Sequence, residues 1–305
     1  TNQNEITVCP TTAHTYTAEV IYTLCNGSTI ISSDTTTVEY TDTVFSEPPI
    51  AHVICDKDEV KDGNTIIDLS IFDSELITEL NTINPYVISY HLSQQDAIDA
   101  LFPINPITSF VNIDNPEIIY GRIEDTSLNC VVIKEIIITV TAGPTNFDAN
   151  VISETFADVH QILATATGID HYLFSLDGGE FQNSGFFDNV SAGLHTIIIT
   201  DSNFCFKETV ELVIIDYPKF FTPNGDGIND CWNISHVKEL VFANITIFDR
   251  FGKELIQFDQ NSKGWDGLYN GNPLPSNDYW FKVLYSEKKP KGVQREFIAH
   301  FSLKR

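Results

Sequence analysis

Apolar residues in this chain fall on alternate positions in short runs, and the runs are bounded by Asn, Asp, Gly and Pro. In DYWFKVLYS, Tyr279, Phe281, Val283 and Tyr285 share one face; in REFIAHFSL, Phe297, Ala299, Phe301 and Leu303 do the same. In GLHTIIIT, Leu194, Thr196, Ile198 and Thr200 fall on one side and His195, Ile197 and Ile199 on the other. A period of two puts such side chains on opposite faces of a strand, so these runs predict half-buried strands. Runs of this kind recur throughout, and almost nothing repeats at the helical period. The pattern is that of an all-β protein. One short helix is predicted over LSQQDAIDALF, Leu92 to Phe102, stopped by Pro103.

The spacing of turn residues divides the chain into four parts. Residues 1–46 hold two strand-like runs, TYTAEVIYTLC and STIISSDTTTVEY, that read as the closing hairpin of a sandwich beginning upstream. SEPPI is a stiff linker, because Pro48 and Pro49 fix φ and donate no ladder hydrogen bond. A second sandwich spans 47–142 and a third 143–216, the latter with an Asp177-Gly178-Gly179 turn suited to positive φ. The last domain covers 217–305, with RFG at Arg250–Gly252 and KKPKG turning strand into strand.

Composition narrows the partners. The 305 residues include 21 Phe and 11 Tyr, enough to fill several cores. Charge is split: residues 1–216 hold 5 Lys+Arg against 32 Asp+Glu, whereas 217–305 hold 12 against 10. So acidic a body repels nucleic acid and anionic membranes. No apolar run reaches the length of a transmembrane segment. With no Met at all and a TNQNE start, the chain is expected to be the C-terminal part of a longer precursor.

Six cysteines (Cys9, Cys25, Cys55, Cys130, Cys205, Cys231) form no CxxC and no Cys/His cluster, which argues against zinc. Their spacing suggests Cys9 with Cys25 and Cys55 with Cys130, among 15 possible connectivities, and an oxidising, extracytoplasmic setting. Eight His are scattered, and no HExxH, GxSxG or Walker loop occurs. No catalytic constellation emerges, and the chain reads as a non-enzyme.

The stretch FFTPNGDGINDCWNI crowds Gly, Asp and Asn between apolar flanks. Pro223 fixes φ, Gly225 and Gly227 admit left-handed backbone, and the Asx side chains cap their own turns, which makes it first of all a structural joint. As a second reading, Asn224, Asp226, Asp230 and the Ile228 carbonyl offer hard oxygens to Ca²⁺. Thr222 at the first loop position and the absence of a downstream Glu count against it, although Asp266 could contribute.

The middle units resemble the Ig-like and PKD-like repeats of bacterial surface proteins, notably in FFDNVSAGLHTIIITDSNFC. From Tyr217 onward, YPKFFTPNGDGINDCWNI, NITIFDRFGKELIQFD, KGWDGLYNGNPLPSNDYWFKVLY and the terminal REFIAHFSLKR together resemble the gliding-motility-associated C-terminal domain of Bacteroidetes, the type B sorting domain of the type IX secretion system. The resemblance implies a small β-sandwich, export to the cell surface, and partners in the translocon, among them a PorP/SprF-like outer-membrane protein. One departure is Cys231, where the family more often lacks a thiol; it needs a partner, for which Cys205 is the candidate. The charge split then marks the last domain as the docking surface, through Lys282, Lys288, Lys289, Lys291, Arg295, Lys304 and Arg305. Trp232, Trp265 and Trp280 are candidate aromatic anchors of that surface, although each is expected in the core, since a buried Trp is common in small sandwiches. The alternative function is a carbohydrate-binding or adhesive module, for which the middle units show no clear aromatic platform.

Overall fold

The computed structural model describes residues 13–38, 48–78, 85–127, 130–288 and 293–305, with the side chain of Cys130 excepted. It is all-β, and it divides into two compact units, Thr1–Ala142 and Gly143–Arg305.

In the first unit, β1 (His14–Thr23) and β2 (Thr29–Val38) form an antiparallel hairpin paired from His14 opposite Val38 to Thr23 opposite Thr29. A separate four-stranded sheet follows. Its strands are β3 (Ile50–Cys55), β5 (Tyr86–His91), β7 (Glu117–Asp125) and β8 (Cys130–Thr141), in the order β3-β8-β7-β5, with β3 parallel to β8. The two-residue strands β4 (Ile66–Ile67) and β6 (Phe110–Val111) pair with each other. Phe72 on a 3-10 turn and Leu76 on α1 (Asp73–Ile77) join Tyr90, Ile119, Ile123 and Ile136 in one core. Gly121 sits under Leu76, and a Cβ there would lie 2.8 Å from a Leu76 methyl, so the helix packs directly onto strand backbone. The predicted helix is shorter than its sequence pattern. Here α2 (Gln94–Asp99) is capped by Ser93, whose hydroxyl accepts from the Asp96 amide, and it ends in a left-handed Ala100 three residues before Pro103.

The second unit begins with a two-sheet sandwich. Strands β9 (Asn146–Val151), β10 (His160–Thr167) and β12 (Phe186–Val190) make one sheet; β11 (Tyr172–Leu176), β13 (Gly193–Asp201) and β14 (Lys207–Ile214) make the other. Of the two faces of β13, the one carrying His195, Ile197 and Ile199 is buried, and it meets Ile162, Phe174 and Ile214. After β11 the chain turns at Asp177 and Gly178, both with positive φ, and Gln182 bridges back to Phe174.

The C-terminal domain is built on one five-stranded sheet. Its strands β15 (Phe220–Phe221), β16 (Phe242–Phe248), β17 (Glu254–Asp259), β20 (Asn277–Ser286) and β21 (Gln294–Leu303) run in the order β15-β21-β20-β16-β17. The terminal hairpin β20–β21 pairs from Asn277 opposite Leu303 to Ser286 opposite Gln294. A small pair, β18 (Leu268–Tyr269) and β19 (Asn272–Pro273), lies outside the sheet. Trp232 and Trp265, from irregular segments, join the buried core with the inward residues of the sheet. Trp232 stacks on Phe301 with ring centroids 3.9 Å apart and planes within 12°. The two tryptophans exchange backbone hydrogen bonds of 2.8 and 2.9 Å, and each indole N–H donates to a backbone carbonyl, of Pro218 and Leu268 respectively. Large rings are thereby buried without an orphaned donor.

Candidate docking surface

The FTPNGDGIND stretch is a self-contained turn. Asp230 Oδ1 accepts from the amides of Asn224 (3.0 Å) and Gly225 (2.7 Å), and Oδ2 accepts from Gly227 (2.8 Å). Asp226 accepts from the Ile228 amide and the Asn224 side chain. Gly225 and Gly227 both take the positive φ that lets these N–H groups converge. Donation from Gly225 and Gly227 holds the Asp230 carboxyl below the usual carboxylate range. The Asn224, Asp226 and Asp230 side-chain oxygens considered for calcium are therefore engaged by the loop's own amides. Among the described residues no group of three or more His, Cys, Asp or Glu side chains is arranged to hold a metal ion.

The cysteines differ from the spacing-based expectation. Cys25 and Cys231 are free thiols, so neither Cys9–Cys25 nor Cys205–Cys231 is a bond of this structure. Partial desolvation, with the nearby carboxylates Asp266 and Asp230, pushes the largely exposed Cys231 thiol up from its ordinary value. Cys55 and Cys205 are each disulfide-bonded. Register excludes Cys130 as the partner of Cys55. Cys55 lies opposite Thr141, at the far end of β8 from Cys130. At about 3.3 Å per residue that is roughly 35 Å, against the 4.4–6.8 Å span of a disulfide. Sequence spacing had no access to this, because it measures distance along the chain only. Cys9 and the side chain of Cys130 lie outside the described residues.

The basic residues of the last domain are largely committed to neighbours. Lys282 Nζ pairs with Glu296 at 2.8 Å, Lys288 with Glu239 at 2.7 Å, and Arg295 sits 3.8 Å from Glu287. The hydrogen bond from Lys288 holds the Glu239 carboxyl below its usual range. Arg305 donates to the carbonyls of Leu274, Pro223 and Gly267, which fastens the chain end to the fold. Lys304 lies over the Phe220 ring. Lys289 and Lys291 fall outside the described residues.

What faces solvent on the sheet is the row opposite the core. Trp280, expected in the core, is 45 % exposed. The alternation that buries Tyr279 and Phe281 must point Trp280 the other way, and this was readable in the sequence. Trp280 stands opposite Phe248 on one side and His300 on the other, with its ring 5.3 Å from the histidine. One step along, exposed Ile298 faces Lys282. The result is an open face in which an aromatic row adjoins a Lys282–Glu296 ion pair. At the tip of β16–β17, Phe251 is 80 % exposed beside Arg250, held there by Asp249, whose carboxylate accepts from the Phe251 and Lys253 amides.

The sheet thus has a packed inner face and an open outer one that carries Trp280, and its domain follows further β-domains along the chain. Residues 215–299 match the family model of the CHU_C Type IX secretion signal domain, and residues 51–144 match that of the Flavobacterium inter-domain disulphide bond domain. The chain is thus one exported by the type IX secretion system to the cell surface. No protein of curated function matches the chain. Among solved structures, dimeric latent PorU from Porphyromonas gingivalis is 14% identical over 64% of this chain and 25% of its own, with a TM-score of 0.22. Extracellular domains 3–5 of Drosophila OTK are 12% identical over 85% of this chain and 95% of their own (TM-score 0.20). Drosophila N-cadherin EC1-3 is 13% identical over 85% and 98% (TM-score 0.27). The chain spans a quarter of the PorU structure. Among the described residues no helix is long and apolar enough to cross a membrane.

Proposed function

We propose that residues 217–305 direct export by docking as a folded surface, and that the preceding β-domains form the stalk of a large gliding-motility or cell-surface adhesin. In this reading the chain acts by binding and performs no catalysis. The partner is an outer-membrane protein of the PorP/SprF kind working with the translocon. The observation that carries the reading is the match of residues 215–299 to the secretion signal domain; the open Trp280 face supports docking through side chains. Because Lys282, Lys288 and Arg295 already have acidic partners, an aromatic centre with a charged rim accounts for the surface better than a bare cationic patch.

The test is export of the full chain in a type IX-competent host. Trp280→Ser combined with Ile298→Ser should leave the melting temperature within a degree or two and strand the protein in the periplasm. Undiminished surface display of that variant would refute the docking face, and undiminished display after deleting residues 217–305 would refute the export role itself.

A further inference from the structure

Among the described residues, one buried side chain in the core of the C-terminal domain comes from the body of the preceding sandwich. Phe156, in the loop between β9 and β10 of the preceding sandwich, is 4 % exposed and belongs to the cluster of Trp232, Phe281 and Phe301. Its ring stacks on Phe297 (4.8 Å, 24°), meets Tyr285 edge-on (5.3 Å) and lies 6.2 Å from Tyr217. Beside it the Thr155 hydroxyl donates to Glu287 at 2.6 Å, and Arg295 approaches the same Glu287 oxygen. Below, buried His160 stands 3.6 Å from Asp216, whose carbonyl accepts from the Ser235 amide of the last domain.

The backbone at this point is unusual. A turn closes from the Ala157 amide to the Glu154 carbonyl, with Phe156 at its third position and φ of 65°. That position favours Gly or Asn, and an aromatic residue there is an outlier that persists only where the surroundings hold it. Here the surroundings are Phe297, Tyr285 and Tyr217. A single sheet covered on one face by irregular segments leaves its Tyr285–Phe297 end to be filled by Phe156.

We propose that Phe156 is a plug that completes the sorting domain, so that the module presented to the secretion machinery is the two-domain unit 143–305 and not the C-terminal domain alone. The plug stands on the contacts above; its part in export rests on the function proposed for 217–305. Occupation of the socket also removes that end of the inner face from any partner and leaves the outer Trp280 face free.

The test uses the full chain with Phe156→Ala, Phe156→Gly and Phe156→Leu, read by amide hydrogen exchange in β20 and β21 and by surface display. Alanine removes the ring and keeps the strained turn, whereas glycine removes the ring and relieves the turn. Both should speed exchange around Tyr285 and Phe297 tenfold or more and reduce display, while β11 and β13 keep their protection; leucine should restore most of both. Exchange in the glycine variant as slow as in the parent would overturn the plug. Fast exchange with full display would overturn its place in the exported module. Should the alanine chain fail to fold, the leucine and Thr155→Val variants decide, with a two- to fivefold acceleration expected and none overturning the proposal. Deletion of 217–305 runs alongside. If it leaves display intact, the secretion reading fails while the exchange data still judge the plug.

Discussion

Two hairpins of equal length bracket this chain and share a regular ten-pair antiparallel register: β1–β2 and β20–β21. In β1–β2 no residue is buried, and Ile21 faces Ile31 in the open. In β20–β21, Tyr279, Phe281, Val283, Tyr285, Phe301 and Leu303 are all buried. Hydrogen-bond register is therefore not what makes the second hairpin part of a domain. The difference is that one face of β20–β21 is apolar at every other position and meets Trp232 and Trp265. In β1–β2, by contrast, the alternate apolar positions Tyr16, Ala18, Val20 and Tyr22 of β1 stand opposite Thr36, Asp34, Ser32 and Ile30, and that face meets no buried core among the described residues. An isolated two-stranded ribbon is marginal in water, and burial of one face supplies the missing free energy.

The largest effect should come from emptying the core under the second hairpin. Phe281→Ala is expected to cost about 3–5 kcal/mol in denaturant unfolding, with Trp232→Ala similar, while Ile21→Ala in the first hairpin stays within about 0.5 kcal/mol. Equal losses at Phe281 and Ile21 would break the comparison. Next is Gly264, which has a φ of 104° and lies against the Trp232 carbonyl, where a Cβ would collide. Gly264→Ala should cost about 1–3 kcal/mol in thermal melting, because the strained φ adds to the clash. A neutral result would mean that the tryptophan pairing is not what braces the sheet.

Smaller still is the turn carboxylate. The folded pKa of Asp230 lies below its unfolded value near 3.8, so the ionised form favours folding. That contribution is present above the unfolded pKa and disappears as pH falls through the lower, folded one. Asp230→Asn should thus melt lower than the parent at pH 7, with the gap closing below about pH 4; a gap that does not narrow on acidification would contradict the amide cradle. The smallest effect is expected from Ca²⁺. Millimolar calcium should leave the parent's melting temperature within a degree, because Asp230 already accepts three amide protons. A rise that Asp226→Asn abolishes would instead restore the metal reading of the loop.

Much of this was legible from local pattern. Alternation in β13, β20 and β21 fixed the strands, and the same alternation placed Trp280 outward, against the habit of assigning every Trp to a core. Gly225 and Gly227 announced a turn, though not that Asp230 would organise it. Cysteine spacing misled, since Cys55 lies beside Thr141, at the opposite end of β8 from Cys130. Phe156 carried no local signal at all: TFADVH reads as a loop, and the positive φ becomes visible only in the fold.

By itself the amino-acid order determined the all-β class, the faces of the terminal strands and the sorting motifs, because a period of two and the demands of turns are local properties. Which basic residues are neutralised, which thiols remain free and which aromatic from a neighbouring domain closes the last core were decided by tertiary structure alone. Each depends on groups far apart in sequence meeting within a few ångströms, and no local pattern encodes such a meeting.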